Sequence, residues 1–267
     1  MKKIALVVVS AFCLLIFAAC GNEDGPGMIP AAHREAYALL LEMNDAVAGV
    51  TSLAASVEVD FSVTGNSDPI QVSMYSTIQQ IIRDESEIEL ARISIIDMGR
   101  HGVMNSRAFF INGYLYQDVI GTLFRTPMSA DRVREMISIE AGAPLTFPIE
   151  AITTSLIVVQ DSGNRQITFT LNGEMINDML SDMVGDMVSG LDIGGAAISF
   201  GDVSYTVVLG EDNLAVSQRT VFDMYIDFDE ERFSARYDMR LTDIFYDELM
   251  HITFPSNLHE FPLLLFD

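Results

Sequence analysis

Residues 222–241 read FDMYIDFDEERFSARYDMRL, and this stretch decides the fold class. On each side of the acidic triplet 229–231, apolar and polar residues alternate with the period of a β-strand that has one wet face. A connection this short requires an antiparallel hairpin. The core side of its second strand is expected to carry Phe233, Ala235, Tyr237, Met239 and Leu241. The solvent side is expected to carry Arg236, Asp238 and Arg240, because a one-residue slip would bury three charges.

The same alternation recurs on both sides of this hairpin. Strands are predicted at residues 57–63, 70–80, 86–97, 156–159, 167–171 and 203–209. A phase slip near Ala91 and Arg92 predicts a β-bulge in the third of these strands. Asn112-Gly113 predicts a two-residue hairpin turn, with Tyr114 at the start of the return strand.

Apolar residues at helical spacing separate the two sets of strands. Helices are predicted at about 31–52, 129–139 and 173–189, with a short helical turn after Pro148. Helix followed by strands therefore occurs twice, over 31–124 and 173–253, which fits either an internal duplication or convergence on one sheet. Long antiparallel strands with helices segregated to one side define an α+β domain.

The amino terminus has the pattern of a lipoprotein signal. Lys2 and Lys3 precede an apolar stretch at 4–17, and small residues lead to Cys20 in the sequence FAAC. This pattern is similar to a bacterial lipobox, in which the cysteine thiol takes a diacylglyceryl group before cleavage. The expected organisation is a signal peptide at 1–19, the acylated Cys20 with a flexible tether at 20–29, and a single domain at 30–267. The alternative is an ordinary signal peptide, or an uncleaved anchor, with a chance cysteine.

Such a lipid anchor would hold the protein on the extracytoplasmic face of the cell membrane. The second cysteine, Cys13, lies within the signal, so no disulfide is expected. The formal net charge of the chain is −23, and both lysines lie in the signal, which leaves the remainder more acidic still. Such a field repels phosphate backbones, so nucleic-acid binding is excluded. A hydrophobic content of 49% with only 8 prolines argues against disorder.

Catalytic and metal-binding patterns are missing from the sequence. Its four histidines (His33, His101, His251 and His259) have no paired metal-ligand spacing, and neither a nucleophile elbow nor a phosphate loop occurs. The acidic clusters at 84–87 and 227–231 could attract calcium, but they lack the ligand spacing of an EF-hand and suit solvated turns better. We therefore expect a protein that is not an enzyme and that uses no cofactor or metal.

One helical segment is unusually rich in methionine. Met175, Met179, Met183 and Met187 follow one another at intervals of four residues in the predicted helix 173–189. Such a column lies on one apolar face of a helix. Methionine is flexible and polarisable, and surfaces that accept variable apolar partners use it often. The column is therefore a candidate ligand-binding surface, and the alternative is ordinary core packing against the sheet.

Several turn and strand motifs carry a resemblance to a known group of proteins. They are ASVEVDF at 55–61, FINGYLY at 110–116, LNGEMIN at 171–177 and ITFP at 252–255. Together with the lipobox and the tether, they resemble an uncharacterised family of Firmicute lipoproteins, similar in architecture to LolA-like and LppX/LprG-like lipoprotein carriers. The resemblance implies a strongly curved antiparallel sheet, a half-barrel, with helices on its concave face. In the characterised relatives that concavity binds acyl chains or lipoprotein lipid, without a fixed residue motif.

Two functions follow as expectations. The first is binding of an apolar ligand, a lipid or an acyl chain, in a cavity between sheet and helices. The second is a non-catalytic interaction or sensory module at the cell surface, without a ligand cavity.

Overall fold

A computed structural model describes residues 31, 33–65, 69–84, 87–133, 147–177, 180, 197–228 and 231–264. These residues form one sheet of twelve strands, antiparallel throughout. The strands are β1 (Ser52–Thr64), β2 (Ile70–Ile82), β3 (Ile88–Asp97), β4 (Val103–Ile111), β5 (Tyr114–Val119), β6 (Thr122–Pro127), β7 (Ile152–Val159), β8 (Arg165–Leu171), β9 (Ala197–Phe200), β10 (Val203–Leu209), β11 (Ala215–Phe228) and β12 (Glu231–Tyr246). Their order is β6-β5-β4-β3-β2-β1-β12-β11-β10-β8-β7, with β9 also paired to β11. The sheet is open, and the predicted α+β class is confirmed.

The hairpin of β11 and β12 has the predicted register. Phe222 pairs with Tyr237 and Met224 with Ala235. These side chains belong to the apolar core, whereas Arg236 is exposed beside Asp223. We call the side of the sheet that carries Phe222 and Ala235 the inner face, and the opposite side the outer face. The division of β12 into core and solvent positions is confirmed.

One helix, α1 (Arg34–Ala48), covers part of the inner face. Its buried residues Ala36, Leu39, Leu40 and Met43 share a core cluster with inner-face residues of β8, β10 and β11. The helix ends at Ala48 and not near residue 52, as predicted from the sequence. Glycine is a poor helix former, so Gly49 stops the helix, and β1 starts three residues later.

The predicted bulge at Ala91 and Arg92 is wrong. The register of β3 is continuous with both β2 and β4 through these two residues. Both are buried because they lie under different layers: Arg92 points to the inner face, while Ala91 lies on the outer face beneath a later segment. A strand that is buried on both faces does not need to alternate between apolar and polar residues. Its sequence can therefore resemble that of a strand with a bulge.

That later segment, residues 249–264, is named the strap. It covers part of the outer face, where Ile252 and Phe261 share a cluster with Ile81, Phe109 and Tyr116. It also runs along the free edge of β6: the Arg125 N–H donates to the Pro262 carbonyl, and the Leu264 N–H donates to the Arg125 carbonyl, both at 2.8 Å. The strap is therefore bonded to this edge of the sheet at Arg125.

The opposite edge is β7, beside which the described residues place no further strand. Its Leu156 and Val159 side chains are 60% and 69% exposed. On the side towards α1, the Ser155 hydroxyl lies 2.9 Å from Nδ1 of His33. The predicted pairing of residues 156–159 with 167–171 is confirmed, since Ile157 lies opposite Ile167.

The shorter helices are described only in part. Ser129 accepts a hydrogen bond from the Arg132 N–H through its hydroxyl, and residues 130–133 are helical, but 134–139 lie outside the described residues. The turn after Pro148 is confirmed at Ile149–Ala151. Of the predicted helix 173–189, residues 178–179 and 181–189 lie outside the described part. Within the described ranges, no helix has the length and apolar character that a membrane crossing requires.

Candidate functional site

The inner face of the sheet has two halves with different side chains. In the half formed by β8 and β10–β12, aromatic rings pack together under α1. Phe169 stacks on Tyr205, and Phe222 stacks on Tyr237 with ring centroids 4.9 Å apart. Phe147 packs its edge against Phe169 at 5.5 Å. Large rings and a helix fill this half, which forms one of the buried core clusters of the protein.

The one phenol at the centre of this half is neutral. The Tyr205 side chain is fully enclosed, and burial raises its pKa above the usual range of tyrosine. Its hydroxyl donates to Oε1 of Gln218 at 3.2 Å, which satisfies both polar groups. Tyr205 therefore has a structural role in the closed half.

The other half, β1–β5 together with β12, has flexible and small side chains. Cross-strand pairing places one row of inner-face residues side by side across five strands. This methionine row consists of Met239, Val59, Met74, Ile96 and Met104. Two further methionines, Met98 and Met128, pack against the same cluster. Thioether side chains adapt to irregular apolar shapes, so this surface can accommodate apolar groups of varied form.

The next row along the strands is lined by hydroxyl groups. Ser76, Ser94 and Ser106 lie directly opposite one another on β2, β3 and β4. All three are buried, and the Ser76 hydroxyl is 2.7 Å from that of Ser94. This serine row is lower than the methionine row beside it, because each serine carries a single heavy atom beyond Cβ. The middle of the inner face therefore carries a row of small, buried polar side chains.

Arg92 follows the serine row, two residues from Ser94 along β3. Its cross-strand neighbours on the inner face are Ile78 and Ala108, and only 9% of its surface is exposed. All residues of β1–β5 are described, and among their inner-face positions Arg92 is the only charged side chain. A buried cation beside three hydroxyls is the strongest polar feature of this half.

The candidate site residues predicted from the sequence do not belong to the methionine row. Met175 is 51% exposed, while its neighbours Ile176 and Leu180 are buried in the core cluster under α1. Met179, Met183 and Met187 lie outside the described residues, as does Cys20. The ligand-lining role of this methionine column stays a prediction.

The histidines are not brought together in the part of the chain that the structure describes. His33 lies beside Ser155 of β7, whereas His101, His251 and His259 are exposed on other segments. In the same described ranges, no three His, Cys, Asp or Glu side chains gather as a metal ion would need.

No protein-family model matches the chain, and no curated protein matches it. Several solved structures are similar in fold. LprF from Mycobacterium bovis is 14% identical, with a TM-score of 0.41 over 86% of this chain and 99% of that one. A DUF1329 family protein from Desulfovibrio piger is 7% identical, with a TM-score of 0.28 over 83% of this chain and 96% of the other. A putative outer membrane lipoprotein-sorting protein domain from Vibrio parahaemolyticus is 8% identical, with a TM-score of 0.27 and the same two coverages.

Sequence identities and TM-scores this low assign no ligand or partner to the chain. The candidate site is therefore defined by the side chains of the protein itself. Sequence patterns did not identify the methionine row. Each of its members occupies the core phase of an alternating strand, which is a detectable signal, but the strands that carry them are far apart in the chain. Only the register of the folded sheet makes them neighbours.

Proposed function

We propose that the protein is a membrane-anchored lipoprotein that binds a lipid or an acyl chain against the inner face of β1–β5. The methionine row carries this proposal. Its thioethers, and the serine row beside it, form an inner face with fewer aromatic rings than the half beneath α1.

The dimensions of the methionine row suit a lipid chain. It crosses five strands, and four interstrand spacings amount to about 19 Å. One leaflet of a bilayer has a hydrocarbon depth of about 15 Å, half of the full apolar core. An extended acyl chain can therefore lie across the row with its whole length on apolar side chains.

The predicted helix 173–189 is proposed to cover such a ligand. Ile176 and Leu180 are buried in the core cluster under α1. Helical spacing from these two residues predicts Met179 and Met183 on the same side of the helix. The methionine column is then proposed to add thioethers to the apolar lining of a bound chain.

The anchor at Cys20 belongs to the same proposal. A diacylglyceryl group gives stable attachment where a single acyl chain does not. The tether at 20–29 then holds the sheet close to the extracytoplasmic surface of the membrane, where a lipid can be collected.

The direct test is lipid extraction and mass spectrometry of the full chain purified from its membrane. Molar amounts of one lipid class, beyond the covalent anchor, are expected. A matched pair of variants locates the site: Met104→Phe enlarges a side chain of the methionine row, and Ile95→Phe places the same ring on the outer face, where Ile95 is already exposed. Bound lipid should fall in the first variant only. Lipid-free protein, or equal loss in both variants, would contradict the proposal.

The alternative function, a surface interaction module, is favoured by a different observation. Tyr75, Ile93 and Ile95 are exposed together on the outer face of β2 and β3, where Tyr75 pairs directly with Ile95. Exposed apolar patches of this kind occur at protein interaction sites. If the purified chain holds no lipid and Ile95→Asp abolishes capture of a specific partner, the module replaces the carrier.

A further inference from the structure

Arg92 occupies a position that packing alone does not explain. It lies in the middle of the inner face, between Ile78 and Ala108 and two rows away from the methionine row. A buried charge is costly unless it is paired and hydrogen-bonded, and hydrophobic residues of similar volume are often at least as stable in such places. A cation kept there fits a role in recognition.

The surroundings of Arg92 are suited to an anion. Ser94 and Ser106 supply hydroxyl groups from the neighbouring row, and Ser94 is entirely enclosed. No acidic side chain lies on the inner face of β1–β5, all of whose residues are described. The charge of the whole chain is strongly negative, so Arg92 is a local exception in a field that repels anions.

We propose that Arg92 and the serine row bind the acidic head group of an amphiphile whose acyl chain lies on the methionine row. This inference rests on the proposed lipid-binding function and specifies its ligand class. A guanidinium forms two parallel hydrogen bonds with a carboxylate or phosphate, and serine hydroxyls donate to the remaining oxygens. Arg92 already interacts with another group of the protein. The head group is proposed to add to that interaction or to displace it.

The spacing between the rows supports this arrangement. Alternate residues of a strand are about 6.7 Å apart, so the serine row is one such step from the methionine row and Arg92 is one step further. A head group held by Arg92 and Ser94 thus leaves the first carbons of its chain at the methionine row. The polar head group of an amphiphile would thus lie at Arg92 and the serine row, and its acyl chain would lie on the methionine row.

The test offers the full chain a choice between two ligands with the same tail. The protein, purified in a non-ionic detergent, is incubated with equal amounts of palmitate and hexadecanol, isolated again and extracted, and the retained ratio is measured by mass spectrometry. A parallel mixture of lysophosphatidic acid and monopalmitoylglycerol distinguishes a phosphate head group from a carboxylate. We expect the acid to be retained over its neutral partner by at least about tenfold in one mixture, the factor given by one hydrogen bond to a charged group.

Three variants assign this preference to Arg92. Arg92→Met keeps an unbranched apolar side chain and removes the guanidinium group, so the ratio should fall to about one while the neutral ligand is retained as before. Arg92→Lys keeps the charge without the planar fork and should give an intermediate ratio. The control is Arg236→Met, which removes an exposed charge from the outer face and should leave the ratio unchanged.

The outcomes separate the two proposals. Equal retention of acid and neutral ligand by the wild type overturns the head-group inference and leaves lipid binding standing. Retention of neither overturns both. An acid preference that survives in folded Arg92→Met also overturns the role of Arg92. If Arg92→Met is too unstable to be purified, the ratio of acid to neutral ligand retained by the wild type still tests the head-group inference.

Discussion

The Asp247 carboxylate holds Thr51 at the entrance to β1, although the two residues are 196 positions apart in the chain. Its Oδ1 accepts hydrogen bonds from the backbone N–H and the hydroxyl of Thr51, both at 2.8 Å. The N–H of Ser52 donates to the same oxygen at 3.0 Å. These bonds, above all that from the Thr51 hydroxyl, hold the pKa of Asp247 below its usual range. The contact joins the exit of β12 to the start of β1, the pair of strands that closes the middle of the sheet.

Asp247→Asn should lower the free energy of unfolding at neutral pH by roughly 0.5–1.5 kcal/mol, because the hydrogen bonds lose their charge. Residue 247 has φ 56°, a left-handed conformation that asparagine tolerates, so backbone strain does not add to the effect.

The same variant has a predicted pH dependence. A carboxylate whose folded pKa is lowered stabilises the protein above its unfolded pKa of about 3.9, and this stabilisation is lost as the pH falls through the folded pKa. The difference in melting temperature between wild type and Asp247→Asn should therefore shrink between neutral and strongly acidic pH. A constant difference across a series of melting curves would show that the charge of Asp247 is unimportant.

Tyr237→Asp tests the register of β12. The Tyr237 ring stacks on Phe222 on the inner face, so a carboxylate there should cost at least about 2 kcal/mol of stability. Its neighbour Arg236 is on the outer face in an exposed ion pair with Asp223, and Arg236→Ser should cost under about 1 kcal/mol. Urea denaturation of both variants measures the two costs. Similar midpoints would contradict the division between the faces.

Phe261→Ala tests the strap. The ring of Phe261 is buried and packs edge-on against Tyr116 with centroids 5.7 Å apart. Its removal should destabilise the fold by about 3 kcal/mol or more. Phe245 on β12 is the matched control, because its ring is half exposed and Phe245→Ala should cost under about 1 kcal/mol. If chemical denaturation gives equal midpoints, the strap does not contribute to the stability of the sheet.

Cys20→Ala tests the anchor. Without the thiol there is no site for the diacylglyceryl group, so the variant should fail to incorporate labelled fatty acid. It should remain uncleaved or be released as a soluble form, as seen by fractionation and intact mass. Undiminished labelling in the variant would falsify the lipoprotein prediction.

Local periodicity and turn residues were sufficient to predict several hairpins of this sheet, but not the hairpin of β5 and β6. In β12 the alternation of Ala235, Tyr237 and Met239 with charged residues has only one register that keeps the charges in water, and the structure adopts it. Asn112-Gly113 has the two positive φ values, 54° and 75°, that its turn type requires. Such features depend on residues within a few positions of one another, which a sequence displays directly.

The candidate site depends on contacts that a sequence does not display. Val59 joins Met74 of β2 to Met239 of β12, and that adjacency exists only because the first and last strands pair. The burial of Ala91 depends on the strap, which is more than one hundred and fifty residues later. Periodicity indicates which face a residue uses but not what covers that face.

The asymmetry of the two sheet edges limits how copies of this protein can assemble. An open sheet with two bare edges can add strands from further molecules without end, which is the geometry of a fibre. Here the strap bonds to Arg125 along β6, whereas β7 has no further strand beside it among the described residues. Strand addition by a second copy is therefore favoured at β7 over β6.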